Sequence, residues 1–467
     1  MNSFIMHTTP KLIPPLDKEF CPAALANRAF LALVNDSNEG VPLKIALERG
    51  GGQISTYETQ VFGDNSKLSN MNRYYVERLV KTLLWIKGGW KITIGGPANV
   101  GEYIKTAYAM GGIREFDAKF MSKVYEKPFI IEITSVENVP VCAEKTTLIN
   151  RNLNGCRIGF DAGGSDRKVS AVIDGEVVYS EEVVWHPKTQ CNPDYHFNEI
   201  LTALRTAASH MPRIDSIGVS AAGIYLDNRV MIASLFLKVP EELFEIKVKN
   251  LFLNIQKQMG DIPLEIVNDG DVTALAGAIE INDTNVLGIA MGTSEAGGYI
   301  DNYGNITGWL NELAFVPVDF NPTAAIDEWS GDFGCGVKYF SQDAVIKLAL
   351  AAGIPLDDKT PPGENLKIIQ ELLEKGDVNA RLIFESIGCY LGYGIAHYAD
   401  FYDIKHVLIL GRVTSGEGGN IILETAKMVL VQEFPKLASQ IKLHLPDESN
   451  RRIGQSIAAA SLCSPNV

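Results

Sequence analysis

The stretch RIGFDAGGSDRKVSAVIDGEVV, Arg157 to Val178, decides how the rest of the chain is read. Its first residues have the apolar character of a buried strand, and that strand ends on Asp161. Gly163 and Gly164 follow at once, and a second strand then runs to the Asp174–Gly175 turn pair. A hairpin needs the glycines to bend, but it does not need the aspartate. A strand-end carboxylate followed by a glycine turn suits a phosphate site, in which backbone N–H groups face the phosphate while the carboxylate holds a divalent cation. Ser165 and Lys168 could add side-chain donors to that phosphate. By itself the stretch fits this site and a plain hairpin equally well.

Three further elements bear on the choice. Gly292, Thr293 and Ser294, with Gly297 and Gly298 close behind, form a second strand–glycine turn of the same kind, around which the strand–hairpin–helix theme repeats. In IVNDGD, Asn268 and Asp269 close an apolar strand just before a helix. Asp269 there could accept the proton of a hydroxyl that attacks a γ-phosphate, or it could simply cap the helix. Asp271 can serve as the cap instead, which would leave Asp269 free. The fourth element, ILGRVTSGEGG from Ile409, leads a strand into a glycine-rich loop containing Gly411, Arg412 and Gly416. Such a loop can pack its backbone against an adenine ring and ribose, or merely connect a strand to a helix.

Composition narrows the classes. The 467 residues are 46% hydrophobic and 21% charged, ordinary for a globular protein with several domains. A net charge of -14 argues against a general nucleic-acid binder. No run of some eighteen apolar residues suggests a membrane span, and the start of the chain does not read as a secretion signal. Seven cysteines without a C-x-x-C pair read as reduced thiols of a cytoplasmic protein. There is no G-K-[ST] phosphate loop, no H-E-x-x-H and no G-x-S-x-G.

The N-terminal third reads differently. A proline-rich arm over residues 1–20 precedes PLKIALERGGGQISTYETQVF, two strands about a glycine turn. RYYVERLVKTLLWI has helical spacing, WKITIGG reads as a strand, VGEYIKTAYAM and REFDAKFMSKVY as helices, and PFIIEIT as a strand. The polar NRNLNG at 150–155 is expected to link this α/β region to the glycine hairpin that begins at Arg157. No recognition helix preceded by a shorter one stands out, so DNA binding is not expected of the N-terminal region.

In order and spacing, the four chemical elements resemble the ROK family of repressors, open reading frames and sugar kinases, from about Arg157 to Leu462. DAGGSDRKVSAV resembles that family's first phosphate loop, VNDGDVTALAGA its N-D-x-N-A-x-A segment, GWLNELAF its G-x-x-G-E-I-G-H and GDFGCGVKYFS the end of its zinc motif. ILGRVTSGEGG resembles its adenosine loop. The resemblance implies a two-lobed, actin-like ATPase (ribonuclease H-like) α/β fold, with residues 1–152 as an additional small α/β domain. It places the first lobe at 153–270, completed by a C-terminal helix at 451–463, and the second at 271–450. It implies ATP-dependent, glucokinase-like phosphorylation of a sugar hydroxyl, or, as the alternative, a non-catalytic sugar sensor or transcriptional regulator. Asp269 would be the base, with Asn268, Asp269 and Glu312 on the sugar. Asp161, Gly163, Gly164, Ser165, Lys168, Gly292, Thr293, Ser294, Gly411, Arg412 and Gly416 would hold ATP, and Asp161 Mg²⁺. A homodimer without nucleic-acid or membrane partners is expected.

The chain departs from the family pattern at several positions. Phe315 stands where the motif has histidine, Glu328 and Ser330 where it has two cysteines, and Val337 where it has a sugar-binding glutamate. Of the usual zinc ligands only Cys335 remains, and one thiol cannot build a tetrahedral site, so no structural zinc is expected.

Overall fold

The structure is a computed structural model that describes residues 8–144, 153–357, 359–446 and 448–463. The start of the N-terminal arm and residues 150–152 of the expected linker lie outside the described residues. The chain divides into two compact units. One comprises Met1–Lys145, Ile289–Gly297 and Trp309–Leu445; the other comprises Thr146–Gly288, Gly298–Gly308 and Pro446–Val467.

The second of these units is built on the glycine hairpin. Its five-stranded sheet runs, in spatial order, Leu264–Asn268, Ser216–Ala221, Cys156–Ala162, Asp166–Ile173 and Glu176–Val184. The first three strands are parallel and the last two antiparallel. Asp174 and Gly175 both have positive φ, the conformation of a two-residue turn whose twist matches that of the flanking strands. Ile158, Phe160, Val169, Ile217 and Val219 are fully buried and pack with Ile200 and Leu204 of the Pro193–Ala208 helix. Each such side chain contributes about 1.5–3 kcal/mol by leaving water.

Two strand glycines admit the final helix, Glu448–Ala460. A Cβ at Gly159 would lie 1.6 Å from the Ser456 carbonyl oxygen, and one at Gly218 would lie 1.7 Å from that of Ala459. No larger residue fits at either position without moving the helix off the sheet. The final helix thus packs directly on this sheet.

The other unit contains the N-terminal region. A four-stranded sheet orders Ile54–Phe62, Gly40–Glu48, Lys91–Gly95 and Ile130–Thr134, with the last pair parallel. The expected strands and helices of this region are all present, including the helix Asn72–Lys87, whose residues from Tyr75 to Ile86 are buried throughout. A helix at Ala23–Ser37 was not anticipated. Its signal is present in the sequence: Pro22 precedes it, and Ala23, Ala26, Phe30 and Val34 recur at helical spacing and are buried.

Rather than hanging free, the described part of the N-terminal arm is a strap. Leu12 and Leu16 donate backbone N–H groups to Tyr393 Oη (3.4 Å) and Ser386 Oγ (3.2 Å) of the long helix Val378–Tyr398, which is buried from Ser386 onward. Tyr390 of that helix donates to Asp17 Oδ2 at 2.6 Å, and the Phe20 ring lies 4.8 Å from the Tyr390 ring. Backbone hydrogen bonds from Ala23 to Val318 and from Phe320 to Cys21 continue the attachment.

Candidate active site

The unit that carries Asp161 gathers the acidic residues at one edge of its sheet. Asp161, Ser220 and Val267 are in register across the three parallel strands, with Asn268 one residue further on. The carboxyl ends of parallel strands are where open α/β sheets present ligand-binding residues, because the loops and helix N-termini beyond them leave backbone donors there. Asp161 is buried, and its Oδ1 accepts a hydrogen bond from Ser220 Oγ at 2.8 Å. Burial raises its pKa to about 6; the Ser220 hydrogen bond and Lys168 oppose this, and the charge of Asp269 adds to it.

Asp269 is the first residue of the helix Asp269–Ile281. The expected division of labour at this helix start is corrected in one respect: the cap is Asn268, whose Oδ1 accepts from Gly270 N at 2.7 Å. Asp271 instead accepts the N–H of Tyr299 at 3.0 Å. The outcome for Asp269 is the one anticipated, since it is not the cap, though its Oδ1 also accepts the Gly270 N–H at 3.0 Å. Burial pushes its pKa upward, while that N–H and the Lys188 ammonium oppose the shift. Asn268 is held at both ends of its amide, for its Nδ2 donates to the Gly223 carbonyl at 2.8 Å. Gly163 is half-buried, and Gly164 and Ser165 are exposed. Lys168 pairs with Asp166 at 3.1 Å.

The other unit holds Gly292, Thr293, Ser294, Glu312, Gly411, Arg412 and Gly416. Two of these loops adjoin. Gly411, at φ 98°, lies so close to the strand Val286–Met291 that a Cβ there would be 2.3 Å from the Met291 carbonyl oxygen, directly before Gly292. The hydroxyl-bearing Thr293 and Ser294 are exposed. The Arg412 carbonyl accepts from Gln370 Nε2 at 2.9 Å, and Gly416, at φ 65°, precedes the helix Glu417–Glu433. Glu312 is half-buried, and its backbone N–H donates to the Trp85 carbonyl at 3.1 Å.

Sequence reading missed Glu295, whose only signal was a carboxylate in an otherwise apolar strand. Glu295 is 4% exposed and accepts from Tyr398 Oη at 3.3 Å. Burial, with the charge of Glu312 adding to it, raises its pKa to about 8.

A family model described as the ROK family matches residues 157–459, well over half of the chain. The chain belongs to the ROK family. Its fold agrees with solved ROK structures, which share the actin-like ATPase fold. A ROK hexokinase from Thermus thermophilus is 16% identical over 66% of this chain and 97% of that one, with a TM-score of 0.52. A ROK transcriptional regulator, a homolog of the E. coli MLC protein, is 16% identical over 67% of this chain and 79% of that one, at 0.51. A ROK glucokinase from Streptomyces griseus, solved with glucose and AMPPNP, is 19% identical over 66% and 99%, at 0.48. No curated protein matches.

Two places where the chain departs from the ROK pattern, Phe315 and the surroundings of Cys335, have a physical account within one unit. Phe315 stacks on Trp85 with ring centroids 4.1 Å apart, and Phe116 and Phe120 lie beside it. In the zinc-motif segment, Asp332 receives Lys81 Nζ at 2.7 Å, Arg78 Nη2 at 2.9 Å and both terminal nitrogens of Arg114 at 2.9 Å. Cys335 Sγ lies 3.8 Å from Lys81 Nζ, and burial pushes its thiol up to about 12. A zinc ligand must be a thiolate with further donors around it, so a protonated thiol beside an ammonium does not fit that ion. Asp161 does fit a single carboxylate contact to Mg²⁺, since it is buried and has no ion pair among the described residues. Among the described residues no helix is long and apolar enough to cross a membrane.

Proposed function

We propose that the protein is an ATP-dependent kinase that phosphorylates a hydroxyl of a sugar or sugar derivative. The observation that carries this reading is Asp269, a carboxylate that burial makes more basic and that Asn268 relieves of the capping role. A base must meet the proton of the attacking hydroxyl with a free oxygen lone pair and a pKa drawn toward neutrality, and Asp269 offers both. Asp161 would hold Mg²⁺, which when bound neutralises charge on the terminal phosphates. Gly163, Gly164 and Ser165 would turn donors toward those phosphates, with Gly292, Thr293 and Ser294 as the second phosphate turn. The loop carrying Gly411, Arg412 and Gly416 would receive the adenosine. Asn268 and Glu312 would bind sugar hydroxyls.

Phe315 and Val337 stand where polar sugar contacts are implied. The reading therefore favours a deoxy- or N-acetyl-substituted sugar over glucose, because each buried hydroxyl needs a partner. The test is ADP release with purified protein, MgATP and a panel of hexoses, N-acetylhexosamines and polyols. Release above the sugar-free background with at least one member supports the reading. Sugar binding without ADP release from any member refutes it in favour of a sensor. That second reading draws on the stacking of Phe315 against Trp85 in place of the motif histidine.

A further inference from the structure

The segment after the Glu176–Val184 strand has no counterpart among the motifs of the sequence, yet it is built onto the first phosphate loop. Trp185 is 1% exposed. Its indole N–H donates to the Gly163 carbonyl at 2.7 Å, and its backbone N–H donates to the Ser165 carbonyl at 3.1 Å. Two residues on, the Pro187 carbonyl is held 3.0 Å from Nε2 of the fully buried His196, which faces the Leu235 carbonyl at the same distance. The His186 backbone N–H donates to Tyr195 Oη at 3.1 Å. Residues 185–187 are thus fixed on one side to the glycine loop and on the other to the Pro193–Ala208 helix. Lys188 comes next, and its side chain reaches back over the loop: a Cβ at Gly164 would lie 2.8 Å from Lys188 Cε and 3.0 Å from its Nζ.

We infer that Lys188 is a phosphate-binding cation of this site, carried over the Gly163–Gly164 turn to meet the terminal phosphates of a nucleoside triphosphate. The inference rests on the kinase reading for its substrate, and on the placement of the lysine for its role.

Lys168, the lysine singled out by the sequence, is already matched by Asp166 at 3.1 Å. Lys188 makes no ion pair or hydrogen bond with a described residue, so its three donors remain for a ligand. It is also the cation whose charge is felt at Asp269. A compact ammonium beside backbone N–H donors is the pairing that cradles phosphates in other glycine loops. The long flexible stem would lose freedom on binding, and the fixed base at Pro187 limits that loss to the side chain.

The experiment uses the full chain and compares wild type, Lys188→Ala and Lys188→Arg. Two quantities are read: turnover with the best acceptor of the panel, and equilibrium binding of MgATP and of AMP. Lys188→Ala is expected to lower kcat/KM about 100-fold and to weaken MgATP binding about tenfold or more, with AMP binding unchanged. Lys188→Arg should recover most of the MgATP affinity. Wild-type MgATP affinity in Lys188→Ala overturns the inference, and so does an equal loss for AMP, which would report a distorted fold. If no acceptor supports turnover in the wild type, the kinase reading fails. The difference between MgATP and AMP then still decides the role of Lys188.

Discussion

The carboxylates of Asp332 and of the Asp161–Asp269 pair stand in opposite electrostatic circumstances, with Asp332 and Asp161 buried and Asp269 half-buried. Asp332 sits among Arg78, Lys81 and Arg114, and the remaining charge of these cations is met by Glu77 and Asp117. Asp117 also accepts from Trp85 Nε1 at 2.6 Å. Every charge in this cluster has its counter-charge inside the protein. Asp161 and Asp269 have no ion pair among the described residues. Burying a charge costs several kcal/mol unless it is compensated or neutralised by a proton, and carboxylates left without a counter-charge cluster at functional sites. On the proposed function, the contrast is between a centre that holds the fold together and one that carries the chemistry.

Asp269→Asn is the most direct challenge to that contrast. The amide keeps the shape but cannot take a proton, and turnover in the ADP-release assay should fall about 10²–10⁴-fold while MgATP binding persists. Near wild-type turnover would remove Asp269 from the chemistry. Asp332→Ala probes the other centre. It leaves three buried cations short of a partner and should cost roughly 3–5 kcal/mol in urea unfolding. A loss below about 1 kcal/mol would mean that water or Glu77 takes up the charge.

Glu295 is an intermediate case, since it lies in the same unit as Asp332 but without a cation. Its folded pKa of about 8 is above the ordinary carboxylate value, so the native state holds a proton that the unfolded chain releases. The native state therefore gains stability from this proton at low pH and loses it as pH rises from the carboxylate range through about 8. Glu295→Gln should be near neutral at pH ~4 and stabilising by roughly 2–4 kcal/mol near pH 8, with no further gain above it. Unfolding free energies across that range check the sign, and a pH-independent difference would contradict it. The smallest signal concerns metal. Protein purified without chelator should contain far less than one zinc per chain, and stoichiometric zinc lost on Cys335→Ser would show that the Lys81–Cys335 arrangement is not the one in solution.

The motifs proved legible to different degrees, and the reasons are local or distant geometry. The local positions of Asp161, Gly163 and Gly164, and of Asn268 and Asp269, could be read because a strand end, a tight turn and a helix start impose residue types on consecutive positions. The placement of Gly411 beside Met291 could not, since two strands must first pair to bring the loops together. The capping assignment failed at Asn268 because Asn and Asp are nearly equivalent as caps, and only the backbone chose between them. Lys188 was missed because Pro-Lys-Thr carries no pattern; its meaning comes from Trp185 and His196, which hold it against a loop more than twenty positions earlier.

The family, the strands, most helices, and the acidic and glycine residues of the proposed phosphate turns were all set by the order of residues alone, because each is imposed by neighbours within a few positions. How the departures from the family pattern are accommodated was settled only by the folded chain. Arg78, Lys81 and Arg114 reach Asp332 from 254, 251 and 218 residues away, and Trp85 stacks on Phe315. Compensation of buried charge and apolar surface depends on which groups the fold brings within a few ångströms, and that proximity is set by packing, not by order along the chain.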